Sequence, residues 1–178
     1  IAIVTDAGTP GISDPGEDIV KAAIENQIEV IPIPGACALI NSLIVSGIST
    51  KEFSFYGFLP LNKKNRKEIF SKIAKETKTV ILYEAPHKLQ KTLEDILEII
   101  GDVSTCIVRE LTKIHEEKIY GKVSEVIKKC QEPKGEFVII LDLNANEDRE
   151  EVNFEQMTLQ EHYHFYEKLG LEKKEIVK

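Results

Sequence analysis

The stretch TDAGTPGISDPG, residues 5–16, decides how the rest of this 178-residue sequence is interpreted. It follows residues 1–5, whose apolar character predicts a strand, and it precedes a helical pattern over residues 16–27. Ligands of α/β proteins bind beyond the carboxyl ends of parallel strands, where such turns lie. Gly8 and Gly11 leave space for a ligand, and free backbone N–H groups favour polar or anionic ligand groups. The spacing matches neither a GxGxxG motif nor a P-loop, so the residues alone leave a ligand loop and a structural turn open.

A second loop of the same kind follows the next predicted strand. Residues 29–33 predict a strand that ends at Pro34-Gly35, and residues 37–46 predict an apolar helix closed by Gly47. The order strand, helix, strand, helix is typical of a parallel sheet, in which both loops lie at the same edge. Two such loops at one edge favour a binding site, although Pro34-Gly35 taken alone favours an ordinary strand-to-helix turn.

The remaining sequence predicts more α/β structure and then a polar end. Residues 144–157 form an acidic linker, and residues 158–178 predict the start of a helical tail, with Thr158 as its N-cap. Both ends of the chain fall inside predicted elements, so we expect it to be part of a longer protein. The predicted strands are 53–58, 79–83, 105–110, 117–121 and 137–143, and the predicted helices are 65–76, 86–100 and 124–130.

Composition narrows the function classes. The formal net charge is −7, which argues against a general nucleic-acid binder. No apolar run approaches the roughly 18 residues of a membrane span. The three cysteines are far apart, which argues against a disulfide framework or a zinc site and favours the reducing cytoplasm. His162 and His164 have no partner at ligand spacing, so we expect no metal site.

Seven motifs together resemble the tetrapyrrole methylase superfamily. They occur in its order and spacing over residues 1–143, and within it they are most similar to the branch of ribosomal RNA (cytidine-2′-O)-methyltransferases. The motifs are DAGTPGISDPG, PIPGACAL, YGFLP, YEAPHK, VRELTKIHEE, GKV and KGEFVIIL. The resemblance implies two α/β domains that hold S-adenosylmethionine in the cleft between them, usually as a homodimer. Residues 1–52 would then be the end of a truncated first domain, and residues 53–143 the whole second domain.

The resemblance also implies which residues hold the cofactor. The loop that cradles it through backbone atoms falls on Gly8, Thr9 and Pro10. Thr9 stands where the tetrapyrrole branch has Asp, which favours the RNA branch. Cys37 stands where Ser is common, so a backbone contact would survive there and a hydroxyl contact would not. The full set of implied cofactor contacts is Ala7, Gly8, Thr9, Ile12, Cys37, Ala38, Glu84 and Leu111.

The activity implied is methyl transfer to the ribose 2′-hydroxyl of a cytidine in small-subunit ribosomal RNA. This hydroxyl is a weak nucleophile, so a nearby base or cation would help. We predict Glu84, Arg109 and Lys113 as catalytic residues. Each of them also has a structural interpretation. Glu84 and Arg109 could form an ion pair with each other, and Lys113 could belong to an exposed run of charged residues. His87 could instead order the first turn of its helix, and Glu110, at a strand end, could point either way. The exposed charge run is also the alternative for His115 and Glu116, and Glu117 is a further polar candidate.

A basic cluster is the predicted contact to RNA. Lys63, Lys64, Arg66 and Lys67 surround the start of a predicted helix, where they either contact phosphates or form a solvated surface. Two other functions stay open at this point. One is a tetrapyrrole C-methylase on the same fold, and the other is a non-catalytic RNA-binding or dimerisation module.

Overall fold

The computed structural model describes residues 1–130, 134–144, 158 and 160. Residues 1–143 form one compact unit, and residues 144–178 are assigned to another. The predicted linker and tail lie almost wholly outside the described residues. The helices are α1 (Glu17–Glu25), α2 (Ala38–Ser46), α3 (Lys63–Ile73), α4 (Pro86–Ile99) and α5 (Val123–Lys129), and the strands are β1 (Phe53–Phe58), β2 (Thr79–Glu84), β3 (Ser104–Arg109), β4 (Glu117–Lys122) and β5 (Phe137–Leu141).

One mixed sheet organises the first unit, in the order β1-β2-β5-β3-β4. Only β1 and β2 are parallel, and the other neighbouring strands are antiparallel. Every residue of β5 is buried, as is all of β2 except Tyr83. Strands buried on both faces are nearly continuous in apolar residues, which explains the segments TVILYE and FVIIL.

The two faces of the sheet carry separate cores. Leu82, Ile107 and Ile139 point to the face covered by α3, α4 and α5, and all three are 0% exposed. Their neighbours Ile81 and Ile140 point to the opposite face, where they pack against α2. Because strand side chains alternate between faces, a residue's position along its strand determines which core it joins.

The predicted strands at residues 1–5 and 29–33 are not strands in the structure, and this prediction is wrong. Ile1, Val4, Ile31 and Ile33 are exposed there. A strand needs a neighbouring backbone to receive its N–H groups, and within the described residues these segments pair with no other strand. The parallel sheet predicted from them is therefore also absent, although the helices that follow, α1 and α2, are confirmed.

Helix boundaries follow local capping. Asn62 accepts hydrogen bonds from the backbone N–H groups of Lys64 and Asn65, so α3 begins two residues before its predicted start. Gly47 adopts a left-handed φ of 71° and closes α2, as predicted. Leu89, Leu93 and Ile96 are all 0% exposed, as their spacing in α4 predicts.

Among the described residues, no helix combines the length and the apolar character needed to cross a membrane. No group of three or more metal-ligating side chains occurs in that part of the chain.

Candidate functional site

The two glycine-rich loops lie side by side. The Thr9 hydroxyl donates a 2.8 Å hydrogen bond to the Ala36 carbonyl oxygen and so joins the first loop to the second. A Cβ placed on Gly8 would lie 3.6 Å from the same oxygen. The two loops are therefore in contact, but the predicted arrangement at one edge of a parallel sheet is wrong, because the segments that precede the loops are not strands.

The first loop exposes backbone donors. Gly8 and Gly11 adopt φ angles of 75° and 83°, a region that other residues rarely enter. In the described part of the chain, no protein acceptor receives the backbone N–H groups of residues 7–9, 11 and 12, and Pro10 has none. Thr5 donates a 3.2 Å hydrogen bond to Asp14, which ties the ends of the loop together. The loop therefore holds a fixed shape with N–H groups available to a polar ligand.

Tyr83 connects the second loop to the sheet, and the sequence analysis missed it. The Leu39 N–H, in the first turn of α2, donates a 3.0 Å hydrogen bond to the Tyr83 hydroxyl. Burial raises the pKa of Tyr83, partly offset by the Leu39 N–H, so the hydroxyl stays protonated. The available signal was a tyrosine at the end of a buried strand, because a buried hydroxyl usually has a hydrogen-bond partner.

Two of the predicted cofactor positions lie on the face of the sheet that packs against α2. Cys37 and Leu111 are half-buried and pack against the core beneath α2. Cys37 is the N-cap of α2, but its thiol makes no capping hydrogen bond. Ala38 is the exposed first residue of α2, and Ala7 and Ile12 are exposed on the first loop. These positions stay predictions. The contacts described between the two loops are the Thr9 hydrogen bond and the close approach of Gly8 to Ala36.

Glu84 points to the opposite face of the sheet from Tyr83, and its side chain is buried there next to Thr92. Its carboxylate accepts hydrogen bonds from the Ala85 N–H at 2.8 Å and from the Thr92 hydroxyl at 2.6 Å. The predicted alternative of a Glu84–Arg109 pair is not formed. Both carboxylate oxygens are engaged and Glu84 is only 2% exposed, which favours a structural contribution.

Arg109 fastens the end of β3 to the start of β5. Its Nε donates a 2.7 Å hydrogen bond to the Lys134 carbonyl oxygen, and its Nη1 pairs with Glu117 at 3.2 Å. These contacts hold the segment before β5 against β3. Next to them is an open cleft of about 340 Å³, lined by Arg109, Glu110, His115, Lys134 and Gly135.

Lys113 lies between two carboxylates in the β3–β4 turn. Its ammonium is 3.0 Å from both Glu110 and Glu136. The hydrogen bonds that the Lys113 ammonium donates to Glu136 and then to Glu110 raise its pKa. The Glu136 N–H, and after it the Lys113 ammonium, lower the pKa of Glu110. The ammonium has three N–H donors, and the contacts to Glu110 and Glu136 use two of them, so the third can stabilise a developing alkoxide.

The other polar candidates form an exposed surface. His87 is exposed in the first turn of α4, and His115 is exposed in the β3–β4 turn. Glu116 accepts a 2.7 Å hydrogen bond from the Thr112 N–H and pairs with Lys118. These contacts match the predicted alternative of an exposed charge run.

The basic cluster divides into two kinds of side chain. Lys63, Lys64 and Lys67 are exposed at the start of α3. Arg66 instead forms hydrogen bonds to Asp95 through Nε at 3.0 Å and Nη2 at 2.8 Å. Its Nη2 also donates to the Thr92 hydroxyl at 2.9 Å. RNA binding by Arg66 stays a prediction, but its guanidinium is already engaged within the protein.

The sequence and the fold both match known proteins. The family model for Tetrapyrrole (Corrin/Porphyrin) Methylases matches residues 1–127. This chain belongs to the tetrapyrrole methylase family. Membership in that family accounts for the two joined glycine-rich loops and for the mixed sheet beside them.

Curated relatives of this chain carry one shared name. The ribosomal RNA small subunit methyltransferase I of Halalkalibacterium halodurans is 44% identical over 181 residues, which covers 100% of this chain and 63% of the relative. The protein of the same name from Synechocystis is 49% identical over 152 residues and is covered to 54%. The chain therefore spans less than two thirds of these relatives.

Solved structures show the same fold at low identity. The uroporphyrin-III C-methyl transferase from Thermus thermophilus, complexed with S-adenyl homocysteine, aligns with a TM-score of 0.53 at 17% identity. That alignment covers 78% of this chain and 64% of the other. The methyltransferase CobJ aligns with a TM-score of 0.58 at 14% identity, covering 75% of this chain and 61% of CobJ.

Proposed function

We propose that this chain belongs to an S-adenosylmethionine-dependent methyltransferase that acts on the ribose 2′-hydroxyl of a cytidine in small-subunit ribosomal RNA. The observation that carries the proposal is the Thr9–Ala36 hydrogen bond, which joins the two loops expected to hold the cofactor. The shared name of the curated relatives supports ribosomal RNA as the substrate.

The residues present fit the proposed cofactor. The unengaged N–H groups of residues 7–9, 11 and 12 offer hydrogen bonds to its polar groups, and the absence of a side chain at Gly8 keeps the approach open. Cys37 and Leu111 offer apolar surface on the side of the sheet beneath α2. The cofactor would supply an electrophilic methyl group on a sulfonium. The chain's residues would bind the cofactor and place the 2′-hydroxyl in line with that methyl.

The decisive experiment measures binding and turnover separately with the full-length protein. Calorimetry should detect S-adenosylmethionine binding, and methyl transfer from labelled cofactor should occur on small ribosomal subunits. Transfer to a tetrapyrrole acceptor and not to RNA would establish the alternative C-methylase. RNA binding without cofactor binding would establish the non-catalytic module.

The proposed catalytic residues are Glu84, Arg109 and Lys113. We expect Arg109→Ala and Lys113→Ala to slow single-turnover methylation about 10-fold or more, in the range of acid–base and electrostatic contributions. Glu84→Gln should slow it less, because glutamine still accepts the Ala85 N–H. Cofactor affinity should stay nearly unchanged in all three. The measurement is the single-turnover rate against pH at saturating cofactor and RNA, and wild-type profiles throughout would make these residues structural.

The proposed RNA contacts are Lys63, Lys64, Arg66 and Lys67. Replacing the three lysines by alanine should weaken RNA binding and reduce the slope of log affinity against log salt by roughly 2–3, because fewer counterions are released. Arg66→Ala serves as a comparison, since its guanidinium is paired with Asp95 and should contribute less to the slope. An unchanged slope in the triple variant would assign the cluster to a solvated helix surface.

We further propose a cytoplasmic homodimer. All three cysteines, Cys37, Cys106 and Cys130, are free, which suits a reducing compartment. Family resemblance supports the dimer. Light scattering on the full-length protein at several concentrations measures its mass, and a constant monomer mass would contradict this part of the proposal.

A further inference from the structure

Strand β1 contains a bulge that changes where its last side chain points. Phe55 pairs with Ile81, but the next paired residue, Gly57, lies opposite Leu82, so Tyr56 is the extra residue. Gly57 adopts a left-handed φ of 62° at this point. In a regular strand, residues three apart point to opposite faces. The bulge instead places Phe55 and Phe58 on the same face, since bulges re-aim the side chains that follow them.

Phe58 is consequently an exposed aromatic ring on a fixed support. Its ring centroid lies 5.6 Å from that of Tyr83 in an edge-to-face arrangement. Tyr83 in turn contacts Phe55 at 4.9 Å and accepts the Leu39 N–H. Although it packs against Tyr83, Phe58 is 55% exposed. The fold thus orients this ring without covering it.

Phe58 follows Gly57, which packs against the first glycine-rich loop, and it precedes the basic cluster by five residues. On one side, a Cβ at Gly57 would lie 3.1 Å from the Ser13 hydroxyl of the first loop, so that loop packs against the bulge. On the other side, five residues of chain lead to Lys63, a reach of at most about 17 Å. An RNA strand that contacts Lys63 and Lys64 can therefore extend past Phe58 towards the cofactor loops.

We propose that Phe58 stacks on an unpaired base of the substrate RNA next to the methylated nucleoside. The proposal rests on the proposed function and adds the side chain that orders the strand. Proteins that bind single-stranded nucleic acid combine cations along the backbone with aromatic rings for the bases. The cations beside Phe58 are notable because the chain as a whole carries a net charge of −7. That local charge favours a polyanion such as RNA over an uncharged or basic protein surface as the group that covers the ring.

The test compares Phe58→Ala with Phe53→Ala in the full-length protein. Phe53 is the same residue type at the other end of β1 and is 37% exposed, which makes it a matched control. Binding of a fluorescent, cytidine-containing single-stranded RNA should weaken about 10-fold with Phe58→Ala, the usual loss for one stacked base. Phe58→Tyr should retain binding, and Phe53→Ala should bind as the wild type does. Thermal unfolding would establish that each variant is folded.

Two further readouts separate stacking from other roles. The salt dependence of RNA binding should not change in Phe58→Ala, because stacking releases no counterions. Calorimetric affinity for S-adenosylmethionine should also stay the same. A parallel loss of cofactor affinity would place the cofactor's adenine on Phe58 and overturn the proposal. Wild-type RNA affinity in Phe58→Ala would overturn it as well, whereas a wild-type protein without any RNA binding would overturn the proposed function itself.

Discussion

Replacing Gly8 by valine should abolish S-adenosylmethionine binding in the full-length protein while leaving it folded. The φ of Gly8 is 75°, and a residue with a Cβ pays about 1–2 kcal/mol there. A β-branched residue is a genuine outlier in this region and will move the loop. Its side chain would also occupy the approach to the unengaged N–H groups of residues 7–9, 11 and 12. We expect cofactor affinity to fall at least about 100-fold, which corresponds to about 2.7 kcal/mol.

The control for this prediction is Gly11→Val, so that both variants carry the same β-branched residue at a left-handed φ. Gly11 has a similar φ of 83°, and a Cβ there meets no atom within 4 Å. It therefore introduces comparable backbone strain without bulk near the second loop. Calorimetry gives the affinities, and circular dichroism with thermal unfolding gives the folded fraction. Cofactor binding by Gly8→Val at wild-type affinity would show that the first loop is not the cofactor loop.

Replacing Thr92 by valine should destabilise the protein by about 3 kcal/mol. Valine has nearly the shape of threonine, so no cavity forms, but the hydroxyl that links Glu84 to Arg66 is lost. Thr92 is 0% exposed, and a buried carboxylate that loses a donor bears a large desolvation cost. For a chain of this size the midpoint of thermal unfolding should fall by about 6–12 °C.

Lys91→Ala is the matched control on the same helix. Its ammonium pairs with Asp95 at 2.8 Å, but the Lys91 side chain is 67% exposed. Exposed pairs contribute at most about 1 kcal/mol, so this variant should unfold close to the wild-type temperature. An equally small effect of Thr92→Val would mean that the Glu84 contacts are not stabilising. The catalytic role of Glu84 would then regain weight over the structural one.

The local sequence was sufficient to predict those helices, strands and loops whose signals lie within a few neighbouring residues. The apolar spacing of Leu89, Leu93 and Ile96 defined α4, and Gly47 closed α2 where predicted. The continuous apolar runs at 79–83 and 137–143 located β2 and β5, although β5 ends at Leu141. The glycine and proline content of residues 5–16 marked a loop of special shape, and the order of seven motifs indicated the family.

Features that depend on contacts between residues distant in the chain became clear only from the tertiary structure. Strand pairing made β5 antiparallel to both of its neighbours and left residues 1–5 and 29–33 without strand partners in the described part of the chain. Side-chain alternation put Tyr83, and not Glu84, on the side of the loops. Arg66 forms hydrogen bonds with Asp95, 29 residues away in the chain, and is less exposed than the lysines beside it. Hydrogen bonds and ion pairs between such distant residues depend on how the chain folds back, and no local spacing encodes that information.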